Sequence, residues 1–380
     1  MFAAGGSHTA LLRSDGIAVA CGDNGCGQCD LPAPVACQTY TQVAAGERHT
    51  VLLTSDGAAV ACGDNDHGQC DLPAPVADPT YTQAAAGWGH TVLIRLDGTA
   101  VACGHNNYGQ CELPALIAGT TYKQVAAGWW HTVLLRSDGS VVACGDNHEG
   151  QCDLPSLIAG TTYTQVAAGD GHTVLLRSDG TAVACGNTYY GQCDLPDLVA
   201  SLTYMQVAAG EGHTLLLRHD GTAVACGAND CGQCDLPALA AWLDITYTQL
   251  SAGRSHTVLL RSDGIAVACG FNNGGQCDLP ALTAGVTYTA HLLPALLLQA
   301  SLDGGSICFV TFGGVERCRT EAAPTARLAD IYDQLMALHR AGRVGPGAWR
   351  VDSILPGGRL LSDASTEDTV ASVFGAPLSA

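Results

Sequence analysis

The sequence predicts an all-β protein: a seven-bladed β-propeller of four-stranded blades over residues 1–290, then a small α+β domain. The first observation is a repeat. A Gly-x-x-His-Thr-like motif places histidines at His8, His49, His90, His131, His172, His213 and His256, with five spacings of 41 and a last one of 43. The second is composition, because 47 Gly and 15 Pro beside only 5 Phe fit a turn-dense β protein better than a helical one. The third is that the periodicity fails after Tyr288, which leaves a tail of a different kind.

Residues 121–155 show each element of one cycle in order. TYKQVAA reads as the first strand, HTVLLR as the second, SVVACG as the third and GQCDL as the fourth. The second and third are near-continuous apolar runs, which suits strands buried on both faces between stacked sheets. Ser137-Asp138-Gly139 forms the hairpin turn between them, its Gly free to take positive φ. Pro155 ends the fourth strand, where a missing N–H does least harm. Such units repeated radially make a propeller, and seven is an ordinary blade number.

With these residues in view, AAGxxHT followed by LLRSDGxxVxxCGxNxxGQC resembles the repeat of the regulator of chromosome condensation family, over about residues 2–290. The resemblance implies a seven-bladed propeller. It leaves function open, since that fold serves guanine-nucleotide exchange factors, ubiquitin-ligase subunits, a plant ultraviolet-B photoreceptor and bacterial enzyme inhibitors. The chain departs from the family in two places. Cys21, Cys62, Cys103, Cys144, Cys185, Cys226 and Cys269 stand where the family usually has Trp. Cys29, Cys70, Cys111, Cys152, Cys193, Cys234 and Cys277 stand where it often has Leu.

These fourteen cysteines are expected to be reduced, buried small hydrophobes. Within-blade disulfides are the alternative, and the absence of a secretion signal in the first residues counts against them. The spacing is not that of a zinc site, so neither metal nor cofactor is expected. Each repeated His reads as a structural tie at the head of a buried strand. No local nucleophile-base arrangement marks a catalytic residue, and the chain is read as a binding protein.

The pair before each His varies while its surroundings repeat: Gly6-Ser7, Glu47-Arg48, Trp88-Gly89, Trp129-Trp130, Asp170-Gly171, Glu211-Gly212 and Arg254-Ser255. With up-and-down strands this loop and the one after the third strand emerge on the same face. Glu47, Arg48, Trp88, Trp129, Trp130, Asp170, Glu211 and Arg254 are therefore the candidate protein-binding rim. The photoreceptor's Trp-Arg-His-Thr pattern is missing, because Gly89 and Trp130 stand where it would have Arg.

Residues 1–290 carry 26 acidic and 9 basic side chains, the bulk of the net charge of −19. An acidic body excludes direct DNA or RNA binding, which depends on basic stripes, and favours a protein partner with a basic surface. No run is long enough for a membrane helix, so a cytoplasmic or nuclear location is expected.

Residues 291–305 read as a linker and 306–380 as a ubiquitin-like β-grasp domain. ICFVTFGGVERCRTEA gives two strands about Gly313-Gly314, Thr325 caps a helix ending at Gly342, and AWRVDSILPGGRLLSD starts two more strands. Val286 to Ala290 resembles a first strand, which the chain's opening repeat lacks. The function expected from this is a scaffold related to HERC-type ligases that recruits substrates in ubiquitin signalling without a catalytic domain. The alternative is exchange of guanine nucleotide on a small GTPase.

Overall fold

The computed structural model of the protein describes residues 1–288 other than 36–37, 74–79, 199–201, 240–244 and 283–285, together with strands Leu298–Asp303, Ser306–Thr311, Glu316–Glu321 and Ser353–Ile354. The chain divides into two units, Met1–His291 and Leu292–Ala380.

In the first unit each cycle builds one antiparallel sheet. In the fourth, Tyr122–Ala127, His131–Arg136 and Val141–Gly145 pair in that order. Gly139 takes the positive φ of 80° that the hairpin requires, and Asp138 Oδ1 accepts the Ser140 amide at 2.9 Å. A register shift between Tyr122 and Gln124 recurs in the blades of cycles two to seven.

The core lies between blades. Along the second strand of the fourth blade, Val133 and Leu135 pack on Tyr163, Val166 and Leu175 of the fifth. Leu134 turns the other way, onto Val92 and Ile94 of the third. Successive strand residues point to opposite faces, so a strand buried on both must be apolar throughout. Each such side chain contributes about 1.5–3 kcal/mol by leaving water.

Two expectations are corrected. The third strand, at the sheet edge, is half-buried along its length. The Gly-Gln-Cys segment is a turn, and each described blade has three strands. Its own side chains fold it back. Asn147 Oδ1 accepts the Cys152 amide at 2.8 Å, Asn147 Nδ2 donates to Asp153 Oδ1 at 2.9 Å, and Gln151 Oε1 accepts the Glu149 amide at 3.0 Å. The Gln151 carbonyl accepts the Thr173 hydroxyl of the next blade at 2.7 Å.

The first blade draws on both ends of the unit. It has its own first strand, Phe2–Ala4, so the expected missing strand is present. Thr287 and Tyr288 supply the start of that strand: the Ser14 amide donates to the Thr287 carbonyl at 2.8 Å, and Tyr288 bridges to Arg13. In the cycles between, Tyr40 and Tyr81 occupy the same place, each donating its hydroxyl to a proline carbonyl eight residues back, as Tyr288 does to Pro280.

In the second unit the described strands form one sheet. Ser306–Thr311 pairs antiparallel with Glu316–Glu321 and with Leu298–Asp303, and the last pairs parallel with Ser353–Ile354. Leu298–Asp303 falls in the stretch read as a linker. The expected helix from Thr325 to Gly342 lies outside the described residues. Among the described residues no helix is long and apolar enough to cross a membrane.

Candidate functional site

The site grows out of what every blade shares. Each repeated His is wholly buried, and its Nε2 meets a threonine hydroxyl in the next blade: His49 with Thr91 at 2.9 Å, His131 with Thr173 at 2.9 Å, and so on around the ring. That hydroxyl gives its single proton to a Gln carbonyl, as Thr91 does to Gln69 at 2.8 Å. The imidazole must therefore donate through Nε2, and Nδ1 carries no proton. Burial pushes these histidines down to about 3 or 4. They are structural ties, made to a side chain rather than to backbone carbonyls.

Inside this belt the blades nearly touch. A Cβ on Gly128 would lie 2.4 Å from the Gly169 carbonyl oxygen and 2.4 Å from His131 Cε1. Just beyond, a ring of backbone bonds holds the first residue of each variable pair: Glu47 N to Gly87 O at 3.1 Å, Trp129 N to Gly169 O at 3.2 Å, Asp170 N to Gly210 O at 3.2 Å and Arg254 N to Gly5 O at 3.1 Å. The loop after the third strand joins the same face, since the His105 amide donates to Gly89 O at 2.7 Å and the Asp146 amide to Trp130 O at 2.8 Å.

Six of the eight sequence-predicted residues, Glu47, Trp88, Trp129, Asp170, Glu211 and Arg254, line one pocket where the seven blades converge. Gly6 completes the circle without a side chain, and Glu47 Oε2 fills the space a Cβ there would need. Arg254 bridges the pocket, with Nε on Glu211 Oε2 at 3.0 Å, Nη1 on Glu47 Oε1 at 3.2 Å, and its guanidinium 5.3 Å from the Trp129 ring centroid. Burial raises Glu47 above the usual carboxylate range despite Arg254 and Arg48. Burial, with Glu211 adding repulsion, lifts Asp170 to about 6.

The other two residues lie outside the pocket lining. Arg48 is exposed. Trp130 is half-buried against Trp88 at 4.3 Å between ring centroids and continues through His105 at 4.9 Å and Tyr108 at 5.3 Å. His67 extends the patch from the neighbouring blade, 5.3 Å from Trp88. His67, His105 and Tyr108 are not among the residues predicted from the sequence. The signal was there in the segment after the third strand, which varies as the His-preceding pair does. In blade five the same segment presents Tyr189, 83% exposed, and Tyr190, 51% exposed.

The fourteen repeat cysteines are free and half-buried, a correction to full burial. The thiols point at backbone: Cys103 Sγ lies 3.7 Å from Gln69 O, and Cys111 Sγ 3.3 Å from His105 O. Burial pushes the third-strand set up to about 12 and the Gly-Gln-Cys set up to about 11. Among the described residues no cluster of three or more His, Cys, Asp or Glu is placed to hold a metal ion.

The regulator of chromosome condensation (RCC1) repeat matches the chain seven times, at residues 2–28, 40–69, 81–110, 122–151, 163–192, 206–233 and 247–276. Among solved structures, Prp20p from Saccharomyces cerevisiae, described with its binding to Gsp1p and histones, superposes with a TM-score of 0.55 at 19% identity, over 67% of this chain and 77% of that one. Human WBSCR16 does so at 0.56 and 20% identity, over 65% of this chain and 80% of that one. The CRINKLY WD40 ectodomain of the Arabidopsis thaliana receptor kinase ACR4 gives 0.57 and 19%, over 72% and 96%. No curated protein matches the chain in sequence. At such identities the structural likeness establishes the fold.

Proposed function

Because the chain belongs to the regulator of chromosome condensation repeat family, we propose that its first unit recognises a protein partner through the face bearing Glu47, Trp88, Trp129, Asp170, Glu211 and Arg254. One observation carries this reading. On a scaffold whose blades repeat almost residue for residue, the side chains that differ from blade to blade converge on one pocket and the aromatic patch beside it. A rigid frame carrying varied loops is how recognition surfaces are built, and Trp and Arg are the side chains that anchor them. The acidic body favours a basic partner and faster encounter at low salt. The chain acts by binding, with no step of covalent chemistry, and neither nucleic acid nor membrane belongs to this reading.

The finer role we propose is recruitment of substrates in ubiquitin signalling. It is supported by the resemblance of residues 306–380 to a ubiquitin-like β-grasp, although strand Leu298–Asp303 lies in the stretch 291–305 first read as a linker. Nucleotide exchange on a small GTPase is the second reading, and it draws on the likeness to Prp20p, which is described with binding to Gsp1p. Affinity capture with the full chain, beside a Trp88→Ala/Trp129→Ala/Trp130→Ala variant, tests both. Ubiquitin-pathway proteins held by the parent and lost by the variant support recruitment, whereas a nucleotide-free GTPase supports exchange. Equal capture by a folded variant would remove the loop face from the reading.

A further inference from the structure

We propose that the axial pocket is a receptor for an arginine side chain of the partner, which enters beside Arg254 or in its place. The inference rests on the loop face being the docking surface and names what that surface grips. Its ground is that a guanidinium already sits there. Arg254 is held on two sides by carboxylates contributed by different blades, Glu47 and Glu211, and by the face of Trp129 on a third. Planar, many-donor guanidinium suits that combination of forked acceptors and aromatic wall better than a compact ammonium does.

The pocket holds more negative charge than Arg254 answers. Glu47, Asp170 and Glu211 all line it, and Arg254 is the one cation among the lining residues. Asp170 makes no ion pair among the described residues. It is half-buried and pushed up by burial and by repulsion from Glu211, Glu47 and Asp146, against the pull of Arg254. A carboxylate kept in that setting is relieved by a second cation, and a guanidinium offers five donors for one. Trp88 forms a further stretch of pocket wall and joins the aromatic patch through Trp130, so a peptide with its arginine in the pocket would lay its flanking residues over Trp130, His105 and Tyr108. Arg254 is exposed at the end of a long stem, so an incoming guanidinium can compete with it for the same partners.

The test uses the full chain and three capped tripeptide amides: triarginine, trilysine and tricitrulline, the last with the shape of arginine and no charge. Binding is read by titration calorimetry at pH 7.5 and low salt. Triarginine should bind at least tenfold more tightly than tricitrulline and severalfold more tightly than trilysine. Asp170→Asn should weaken triarginine about tenfold, and Arg254→Ala should tighten it severalfold by removing the resident competitor, with both variants keeping the parent's circular dichroism. Equal affinity for tricitrulline, no loss in Asp170→Asn, or weaker binding in folded Arg254→Ala would overturn the proposal. If Arg254→Ala unfolds, Arg254→Gln takes its place, since it keeps the stem and a donor while discarding the charge. Should the Trp variant lose its captured partner while triarginine fails to bind, the docking face stands and the arginine pocket falls.

Discussion

His256 reaches Thr9, 247 residues earlier in the chain, with Nε2 2.9 Å from the threonine hydroxyl. It is the seventh member of a circle whose other six join neighbouring cycles, and it closes the ring. The Thr9 hydroxyl passes on to Gln276 O at 2.8 Å, as its counterparts do.

Closure makes the first seam as costly to break as any other. Thr9→Val strands a buried imidazole N–H and leaves the Gln276 carbonyl only the weak Cys21 thiol, and should cost about 2–4 kcal/mol. Thr132→Val, in the middle of the array, should cost the same. Urea unfolding of the two variants measures both. An open array would leave Thr9→Val neutral while Thr132→Val stayed destabilising.

Acid should unfold the ring steeply. The seven histidines are held neutral in the fold, down at about 3 or 4, against an ordinary value of 6.5 when the chain is unfolded. Unfolding therefore takes up protons between those limits. The stabilisation is fully present above pH 6.5 and is lost as pH falls toward 4, by about 1.4 kcal/mol per pH unit for each histidine. Urea midpoints at pH 7.5, 6.5, 5.5 and 4.5 give the slope, which should approach several protons near pH 5.5. A flat profile would mean that the imidazoles are charged or open to water.

The thiols of the described residues should fall into two classes. Cys26 and Cys231 are exposed, whereas the fourteen repeat cysteines are half-buried with pKa values pushed to about 11 or 12. Reaction needs thiolate. At pH 7.5 a maleimide should modify Cys26 and Cys231 within minutes and the fourteen far more slowly, with all reacting after denaturation. Peptide mass spectrometry assigns each site. Rapid labelling of the repeat set in the native protein would contradict the shielding, and their failure to label once unfolded would point to disulfides.

Gly128→Ala should fail where a surface change would not. The new methyl would press on the Gly169 carbonyl oxygen and the His131 ring, both fixed by neighbouring blades. Crowding of this kind costs about 1–3 kcal/mol or more. Gly119, where a Cβ would meet nothing within 4 Å, is the control: its φ of 84° strains alanine, but no blade has to move. Thermal melts of the two variants should show the larger drop for Gly128→Ala. Equal drops would mean that the approach of blades at the axis costs no more than backbone strain in an open turn.

The sequence on its own carries the number of blades, the order of three strands in each, the tight Asp-Gly turns and the face on which the variable loops emerge. The blade number is the count of cycles, and the rest is written within one cycle, in hydrogen bonds and apolar runs that span a few residues. Its error over the fourth strand came from the same short range. GQCDL has a strand-like composition, and only the return of Asn147, Gln151 and their equivalents onto nearby amides shows it to be a turn. Tertiary structure alone decided which member of each pair reaches the axis, so that Trp129 joins Glu47 and Asp170 while Arg48 faces solvent and Trp130 joins His105 and Tyr108. It alone put Arg254 between Glu47, 207 residues away, and Glu211, 43 residues away. The distance between those charges is set by closing seven similar sheets into a ring, and no segment of the chain encodes it.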